Sequence, residues 1–285
     1  MNADGQEITD DAILNGRMRL FQPRRGHRFG HDAILLAAAT PAKPGDRIVE
    51  LGAGVGAASL ALLTRVPDID VTLIDIDPAL TALASQNIAR NGFAEKARSV
   101  TLDVAAPDSA FEDAHLRTGT FDHVLMNPPF NDASLQASPD RARRRAHMAA
   151  DDTLHVWLRR AVHLLRPSGS VTLIWRAQTQ QAAIEEFSPA FGAITVLPVY
   201  PGQGQSPIRV LVNARRGARE PLRVLPGLVL TDQDRRPSAA ADAVMRDGLP
   251  LSLESSSAPS GDDAGITSSA ARAAVPHSTT DVRKP

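Results

Sequence analysis

The chain has no cysteine, which excludes disulfide bonds, thiolate catalysis and zinc sites built from cysteine. It also lacks an apolar run long enough to cross a membrane, and its first residues are polar and acidic, unlike a signal peptide. The formal net charge is only −1, so no global positive field indicates a nucleic-acid partner. We therefore expect a soluble, cytoplasmic protein with no membrane partner. The sequence does not predict its oligomeric state.

Length and composition predict one large domain followed by a tail. A chain of 285 residues with 43% hydrophobic and 22% charged residues is ordinary for a globular protein. The last segment is rich in Ser, Ala, Thr, Asp and Pro and has few large apolar side chains, so it cannot offset the entropy cost of ordering. We predict a folded domain over residues 1–250 and a disordered tail over residues 251–285.

Short β-rich runs alternate with helical patterns through the domain. This alternation predicts an α/β fold with a doubly wound, mostly parallel sheet. The predicted strands are 47–50, 71–75, 99–102, 123–126 and 170–175, and the predicted helices are 57–65, 78–91 and 154–165. Residues 193–199 and 208–212 are too close for a helix between them and predict an antiparallel hairpin at one edge of the sheet. Residues 228–230 could add a strand, and residues 239–247 a short helix.

A glycine-rich segment, from Glu50 to Gly56, follows the first of these strands. Its Gly-x-Gly-x-Gly spacing lets the backbone turn sharply and lets a ligand approach more closely than a Cβ would allow. The helix N-terminus behind Gly52 and Gly54 points N–H groups at such a ligand. The spacing, with an acidic residue at the strand end, favours a nucleoside cofactor bearing a cationic amino acid over a dinucleotide. The alternative is a tight turn without a ligand.

Acidic residues follow the first three strands, at Glu50, Asp75 and Asp103. A carboxylate at Asp75 can accept from both hydroxyls of a ribose. Asp77, just before Pro78, is a rival for this role, but it could instead cap the next helix. Asp103 is placed to accept from the amino group of the cofactor's adenine, whereas an isolated Asp there is more often a turn residue. The series, rather than any single member, indicates a cofactor site.

The tetrapeptide Asn127-Pro128-Pro129-Phe130 follows the fourth strand, at the carboxyl edge where ligands of such folds bind. The Asn127 side-chain oxygen and the Pro128 carbonyl can each accept one N–H of an exocyclic amine on adenine. They would thereby favour the charge that builds on nitrogen as it attacks a sulfonium methyl. The prolines make the loop rigid, and Phe130 offers a ring face to a flipped or unpaired base. The alternative is a proline-rich turn that leaves a strand.

Together these motifs resemble class I methyltransferases of the kind that methylate amino groups. The segment from Gln22 to Ala37 is similar in particular to the tRNA1(Val) (adenine-37-N6)-methyltransferase family, and the resemblance runs from about Thr9 to Leu249. It implies a seven-stranded Rossmann-like fold, S-adenosylmethionine as methyl donor and N6-methylation of an adenine in tRNA. It also implies that His31 and Asp32 lie over the methionine end of the cofactor, although the family more often has Thr in place of His31.

Arginine clusters are the candidate RNA contacts, because the planar guanidinium suits phosphate. A solvated surface without a partner is the alternative for any single cluster, including the one over residues 209–219. The arginines selected as candidate contacts are Arg24, Arg25, Arg143 and Arg144. No metal site is predicted, because the histidines that would be considered fit no metal-ligand spacing: His27, His31, His123 and His147.

Three classes of function fit these motifs. The first is N6-methylation of adenine in RNA. The second keeps the reaction but moves it to a protein glutamine amide, which fits the same two acceptors, or to adenine in another nucleic acid. Glutamine enzymes usually carry Tyr after the double proline and an N-terminal helical domain, and a DNA enzyme would need a target-recognition domain for which this chain has no room. The third is an inactive protein that binds S-adenosylmethionine or RNA, which the intact Asn127 and both prolines argue against.

Overall fold

The computed structural model describes residues 7–24, 29–129 and 153–253. In these residues an N-terminal two-stranded hairpin precedes a larger sheet with helices on both faces. The strands are β1 (Ile8–Ile13), β2 (Met18–Pro23), β3 (Arg47–Leu51), β4 (Asp70–Asp75), β5 (Ala97–Thr101), β6 (Phe121–Met126), β7 (Leu165–Arg176), β8 (Phe191–Gly202), β9 (Arg209–Arg216), β10 (Arg223–Val224) and β11 (Leu228–Thr231). The helices are α1 (His31–Ala39), α2 (Ala57–Arg65), α3 (Pro78–Arg90), α4 (Asp108–Asp113), α5 (153–164), α6 (Gln180–Phe187) and α7 (Ala239–Met245).

The main sheet has the strand order β10-β8-β9-β7-β6-β3-β4-β5, with β11 also paired to β8. Strand β9 is antiparallel to both of its neighbours, and the other described pairings of this sheet are parallel. The predicted mostly parallel α/β fold is confirmed, and so is the antiparallel pair formed by β8 and β9. The predicted count of seven corresponds to β3 through β9, and β10 and β11 bring the sheet to nine strands. They extend the sheet beyond β8, so the hairpin is not the outermost element.

Both faces of the sheet are buried, because helices cover each one. Along β7, for example, Leu173 and Trp175 belong to one apolar cluster and Ile174 to the other. One cluster gathers the apolar sides of α1, α2, α3 and α7, and the other gathers those of α4, α5 and α6. Continuous apolar runs in the strands are the expected consequence of this two-sided burial.

The β1–β2 hairpin was not predicted, although its turn carries a recognisable signal. The loop between the strands has four residues, 14–17, and three of them have positive φ: Leu14 at 53°, Asn15 at 54° and Gly16 at 81°. Asn and Gly tolerate this conformation better than other residues do. Asn87 of α3 attaches the hairpin to the domain: its side chain accepts from the Phe21 N–H at 2.7 Å and donates to the Phe21 carbonyl at 2.9 Å. The same amide donates to the carbonyl of Val55 at 3.0 Å, so it links the hairpin to the loop after β3.

The C-terminal part of the domain follows the predicted pattern, with β11 at 228–231 and α7 at 239–245. Contacts continue to Leu253, which is buried, and the Leu251 N–H donates to the carbonyl of Ala38 at 2.8 Å. The domain therefore extends at least three residues past the predicted end at 250. The rest of the predicted tail, 254–285, lies outside the described residues. No helix in the described part of the chain is both long and apolar enough to span a membrane.

Candidate functional site

Two neighbouring cavities lie where the carboxyl ends of β3, β4 and β6 meet. We call them the main cavity, of about 520 Å³, and the side cavity, of about 200 Å³. Both are lined by Asp32, Gly52 and Asn127, so they adjoin. The main cavity is lined by Asp32, Gly52, Asp75, Ile76, Asp103, Val104, Asn127, Pro128, Pro129, Trp157 and Arg209. The side cavity includes Phe29, Gly30, Ala33, Leu36, Glu50, Gly54 and Leu80 in its wall.

The glycine-rich segment forms the floor between the cavities. Gly52 and Gly54 have φ of +67° and +55°, in the left-handed region that favours glycine. A Cβ on Gly52 would stand 2.4 Å from the ring of Trp157, whereas a Cβ on Gly54 would meet nothing within 4 Å. The two glycines therefore serve different purposes. Gly52 makes room for an aromatic ring of α5, and Gly54 leaves open space for a ligand.

Glu50 connects the end of β3 to the following helix. The side chain is only 4% exposed, and its Oε2 accepts from the Ser59 N–H at 2.9 Å and from the Ser59 hydroxyl. Burial raises the pKa of Glu50 to about 7, and the nearby Asp75 carboxylate adds to the rise against the opposing effect of the Ser59 bonds. Glu50 lies in the wall of the side cavity, while its hydrogen bonds hold α2 against the sheet.

Of the two rival carboxylates after β4, Asp75 lines the main cavity and Asp77 does not. Asp77 is the N-cap of α3 and accepts from the Ala79 N–H at 2.8 Å. Asp75 accepts from the Gly54 N–H at 2.7 Å, so its carboxylate is fixed against the glycine segment. Asp103 lines the same cavity and also accepts from the Ala105 N–H at 2.8 Å, so it is a turn residue as well as a wall residue.

Asn127 follows β6 and lines both cavities. Its Oδ1 is buried and accepts no hydrogen bond from the described part of the chain. A buried acceptor without a donor carries a desolvation penalty of about 1–3 kcal/mol, which a donor on a ligand would remove. Pro128 and Pro129 lie beside it in the main cavity. Phe130, the fourth member of the predicted motif, lies outside the described residues.

Asp32, in the first turn of α1, forms an ion pair with Arg209 at the start of β9. The Arg209 Nε donates to Asp32 Oδ2 at 2.9 Å, and the two side chains are 30% and 25% exposed. Asp32 lines both cavities. His31 is exposed and is in the lining of neither cavity.

Four wall residues of the main cavity were not predicted as site residues. Ile76 lies between Asp75 and Asp77 and is 65% exposed. An apolar residue between two acidic residues at the end of a strand was the sequence signal that could have identified it as a wall residue. Trp157 was placed only on an amphipathic helix, and Arg209 only in a surface arginine cluster. Their positions depend on contacts between distant segments. The four are Ile76, Val104, Trp157 and Arg209.

The predicted RNA-contacting arginines are only partly described. Arg24 lies at the surface and forms an ion pair with Glu7 at 2.9 Å. The other three lie outside the described residues, as do two of the histidines considered for a metal: Arg25, Arg143, Arg144, His27 and His147. His123 bridges Asp46 at 3.0 Å and Ser170 at 2.7 Å. In residues 7–24, 29–129 and 153–253, no three acidic or histidine side chains are grouped so as to hold a metal ion.

Comparison with known proteins identifies the family. The profile of the methyltransferase small domain matches residues 28–199, which is more than half of the chain and includes the glycine segment, the acidic series and Asn127. The chain belongs to the methyltransferase small domain family. The predicted membership of a methyltransferase family is thereby confirmed. The residues that line the side cavity lie within the matched region, and so do those that line the main cavity except Arg209.

Curated relatives of this chain are named tRNA1(Val) (adenine(37)-N6)-methyltransferase. One from Porphyromonas gingivalis is 34% identical over 151 residues, which cover 52% of this chain and 58% of the relative. One from Bacteroides fragilis is 25% identical over 207 residues, which cover 73% of this chain and 79% of the relative. The chain thus spans less than two thirds of the Porphyromonas gingivalis relative.

A crystal structure of a protein from Agrobacterium tumefaciens, named a predicted O-methyltransferase, has the same fold as this chain. It superposes with a TM-score of 0.66 at 24% identity and covers 77% of this chain and 98% of its own. At this identity the likeness supports the fold alone.

Proposed function

We propose that the chain transfers a methyl group from S-adenosylmethionine to the exocyclic N6 of an adenine in RNA, with a tRNA as substrate. The observation that carries this proposal is the buried, unsatisfied Oδ1 of Asn127 at the wall shared by both cavities. An N–H donor on a ligand would satisfy this acceptor, and the exocyclic amine of adenine is such a donor.

The residues around the cavities fit S-adenosylmethionine. Asp75 would accept from the ribose hydroxyls and Asp103 from the adenine amino group. Gly54 allows close approach of the backbone, and Gly52 lines both cavities. Asp32 offers a carboxylate to the cationic amino group at the methionine end. When bound, the cofactor supplies a methyl group on a positively charged sulfur, which is already activated for transfer.

Asn127 and the backbone of Pro128 would hold the target amine through its two N–H groups. Positive charge builds on the nitrogen during attack, and fixed acceptors stabilise that charge more than they stabilise the resting amine. No strong general base is needed, because the nitrogen becomes acidic once it has been methylated. The remaining task is to align the nitrogen with the methyl group, which the rigid double proline favours. Phe130 is proposed as the ring against which the base stacks.

The substrate assignment rests on similarity to the curated relatives, whose names specify adenine 37 of tRNA1(Val). A tRNA anticodon loop presents unpaired bases that can enter a cavity without breaking a duplex. Arg24, Arg25, Arg143 and Arg144 remain the proposed contacts to the RNA backbone.

The test is methyl transfer from labelled S-adenosylmethionine to tRNA from a strain that lacks this gene, followed by nucleoside mass spectrometry. We expect a new N6-methyladenosine peak. The Asn127→Ala variant should still bind the cofactor in calorimetry but lose about 100- to 1,000-fold in turnover, as enzymes do when a transition-state partner is removed. Asn127→Asp is the matched variant: it keeps an acceptor oxygen and should retain more activity than Asn127→Ala.

Undiminished turnover of Asn127→Ala would contradict the proposed mechanism. If the wild-type protein binds the cofactor but does not methylate tRNA, the tRNA assignment is wrong. The same assay with ribosomal RNA and then with glutamine-containing peptides would identify the acceptor. Absence of cofactor binding would contradict the whole proposal.

A further inference from the structure

The ionisable groups in the wall of the main cavity are unevenly distributed by charge. Three are carboxylates, Asp32, Asp75 and Asp103, and Arg209 is the one cation among the described lining residues. Carboxylates suit a cofactor that carries positive charge, but they repel the phosphates of a polynucleotide. An RNA that delivers a base into this cavity therefore needs a cation close to the cavity wall.

Arg209 is the cation in this cavity wall that could contact such a phosphate. It is the first residue of β9 and is paired in register with Arg176, the last residue of β7. Residues directly opposite on antiparallel strands project to the same face, with Cβ atoms about 4.5–5.5 Å apart. Arg176 and Arg209 therefore project from the same face of the sheet.

The Arg209 guanidinium is held in a defined orientation. Its Nε donates to Asp32 Oδ2 at 2.9 Å, and its Nη1 donates to the Ile208 carbonyl at 3.1 Å. The side chain is still 30% exposed, so solvent reaches part of it. A guanidinium oriented before binding loses less entropy when it contacts a phosphate than a freely rotating one does.

We propose that Arg209, with Arg176 beside it, binds a phosphate of the RNA next to the target adenine. This inference rests on the function proposed above and adds a substrate contact outside the arginines selected from the sequence. The phosphates that flank an extruded nucleotide stay at the mouth of the pocket that receives the base. Arg209 and Asn127 line the same cavity.

The rival role for Arg209 is to position Asp32 for the cofactor, and the two roles predict different measurements. The variants are Arg209→Gln, Arg209→Lys and Arg176→Gln, with Arg215→Gln as the matched control. Arg215 lies on the same strand and face, six residues away, where it is paired with Glu220. The measurements are tRNA affinity by fluorescence anisotropy at several salt concentrations, KM and kcat for in vitro transcribed tRNA1(Val), and cofactor affinity by calorimetry.

We expect Arg209→Gln to raise both the Kd and the KM for tRNA about tenfold and to reduce the slope of log affinity against log salt by about 0.7–0.9, the change for one phosphate contact. Turnover at saturating tRNA and saturating cofactor should change by less than about threefold, since the proposed contact is made to the RNA backbone and not to the reacting atoms. Arg209→Lys and Arg176→Gln should give smaller losses in tRNA affinity. Arg215→Gln should behave as the wild type.

A weakened affinity for the cofactor, with tRNA affinity and salt slope unchanged, would make Arg209 a positioning residue for Asp32 and overturn the inference. Thermal unfolding checks that each variant is folded. If Arg209→Gln does not fold, the tRNA affinities of Arg209→Lys and Arg176→Gln test the inference instead. Wild-type tRNA affinity in both variants would overturn the inference. Failure of the proposed function is distinguished by the wild-type protein: if it neither binds nor methylates tRNA, that function and this inference are both wrong.

Discussion

Replacing Gly52 by alanine tests the packing that separates the two cavities. The new methyl group would lie 2.4 Å from one carbon of the Trp157 ring and 3.1 Å from another, at a φ of +67°. A left-handed φ destabilises a residue with a Cβ by about 1–2 kcal/mol, partly offset by the smaller entropy of the unfolded alanine chain. Overpacking against a ring held by α5 adds about 1–3 kcal/mol. We expect Gly52→Ala to lower the free energy of unfolding by about 2–4 kcal/mol.

Gly54→Ala is the matched control, because its φ is +55° and nothing lies within 4 Å of the added Cβ. Gly54→Ala should lower the free energy of unfolding only through the unfavourable backbone conformation, by about 1 kcal/mol. The methyl group would, however, enter the side cavity, so Gly54→Ala should weaken cofactor binding more than its stability loss suggests. The measurements are urea unfolding without cofactor and calorimetric binding of S-adenosylmethionine.

A double-mutant cycle assigns the difference to Trp157. In a Trp157→Ala background the obstacle is absent, so Gly52→Ala should cost about 1 kcal/mol, the same as Gly54→Ala. Equal costs for the two glycine variants in the wild-type background would refute the contact. So would a cost for Gly52→Ala that is unchanged by removal of the Trp157 ring.

Two further variants test the surroundings of the two cavities. Because the pKa of Glu50 is raised in the folded state to about 7, the folded protein binds this proton more tightly than the unfolded chain, and stability is lost as pH rises from about 4.5 to 7. We measure the free energy of unfolding in urea between pH 5 and 8. Over this range Glu50→Gln should lose less stability than the wild type, by up to about 3 kcal/mol. If the stability of the two proteins changes with pH in parallel, the pKa of Glu50 is not raised. Arg160 is buried, donates to the carbonyls of Val104 and Ala106, and stacks on Phe111 at 3.7 Å. Arg160→Ala should therefore lower the free energy of unfolding in urea by about 3 kcal/mol. The control is Arg166→Ala, at an exposed residue paired with Asp122, which should lower it by about 0–1 kcal/mol. Similar losses in the two variants would be inconsistent with this role of Arg160.

Local signals accounted for most of the parallel part of the sheet. Helix α2 has the predicted limits, and α3 begins at Pro78 with Asp77 as its N-cap. Strand alternation, capping residues and glycine spacing are properties of short segments, so they can be recognised without knowing the partners. The N-terminal hairpin was missed because its strands mix polar and apolar residues, although its Asn15-Gly16 turn was visible.

Some residues of the candidate site could be predicted from nearby sequence, and others depend on contacts between distant segments. Residues that follow strand ends were placed at the cavities by the rule that parallel strands of one sheet share a carboxyl edge, and Asp75, Asp103 and Asn127 all lie there. Asp103 also shows the limit of that reasoning. Asp103 lines the cavity and also accepts a hydrogen bond within a local turn. From the sequence, a cofactor contact and a turn residue were considered as alternative roles.

By itself, the sequence determined the class of fold, the glycine-rich loop and the position of Asn127, because each depends on residues close together in the chain. Only the tertiary structure decided that β9 inserts between β7 and β8, which brings Arg209 beside Asp32 across 177 positions. It also decided that α5 places Trp157 over Gly52. These contacts follow from the order of strands and from which faces are buried together, and neither of those is encoded in the spacing of nearby residues.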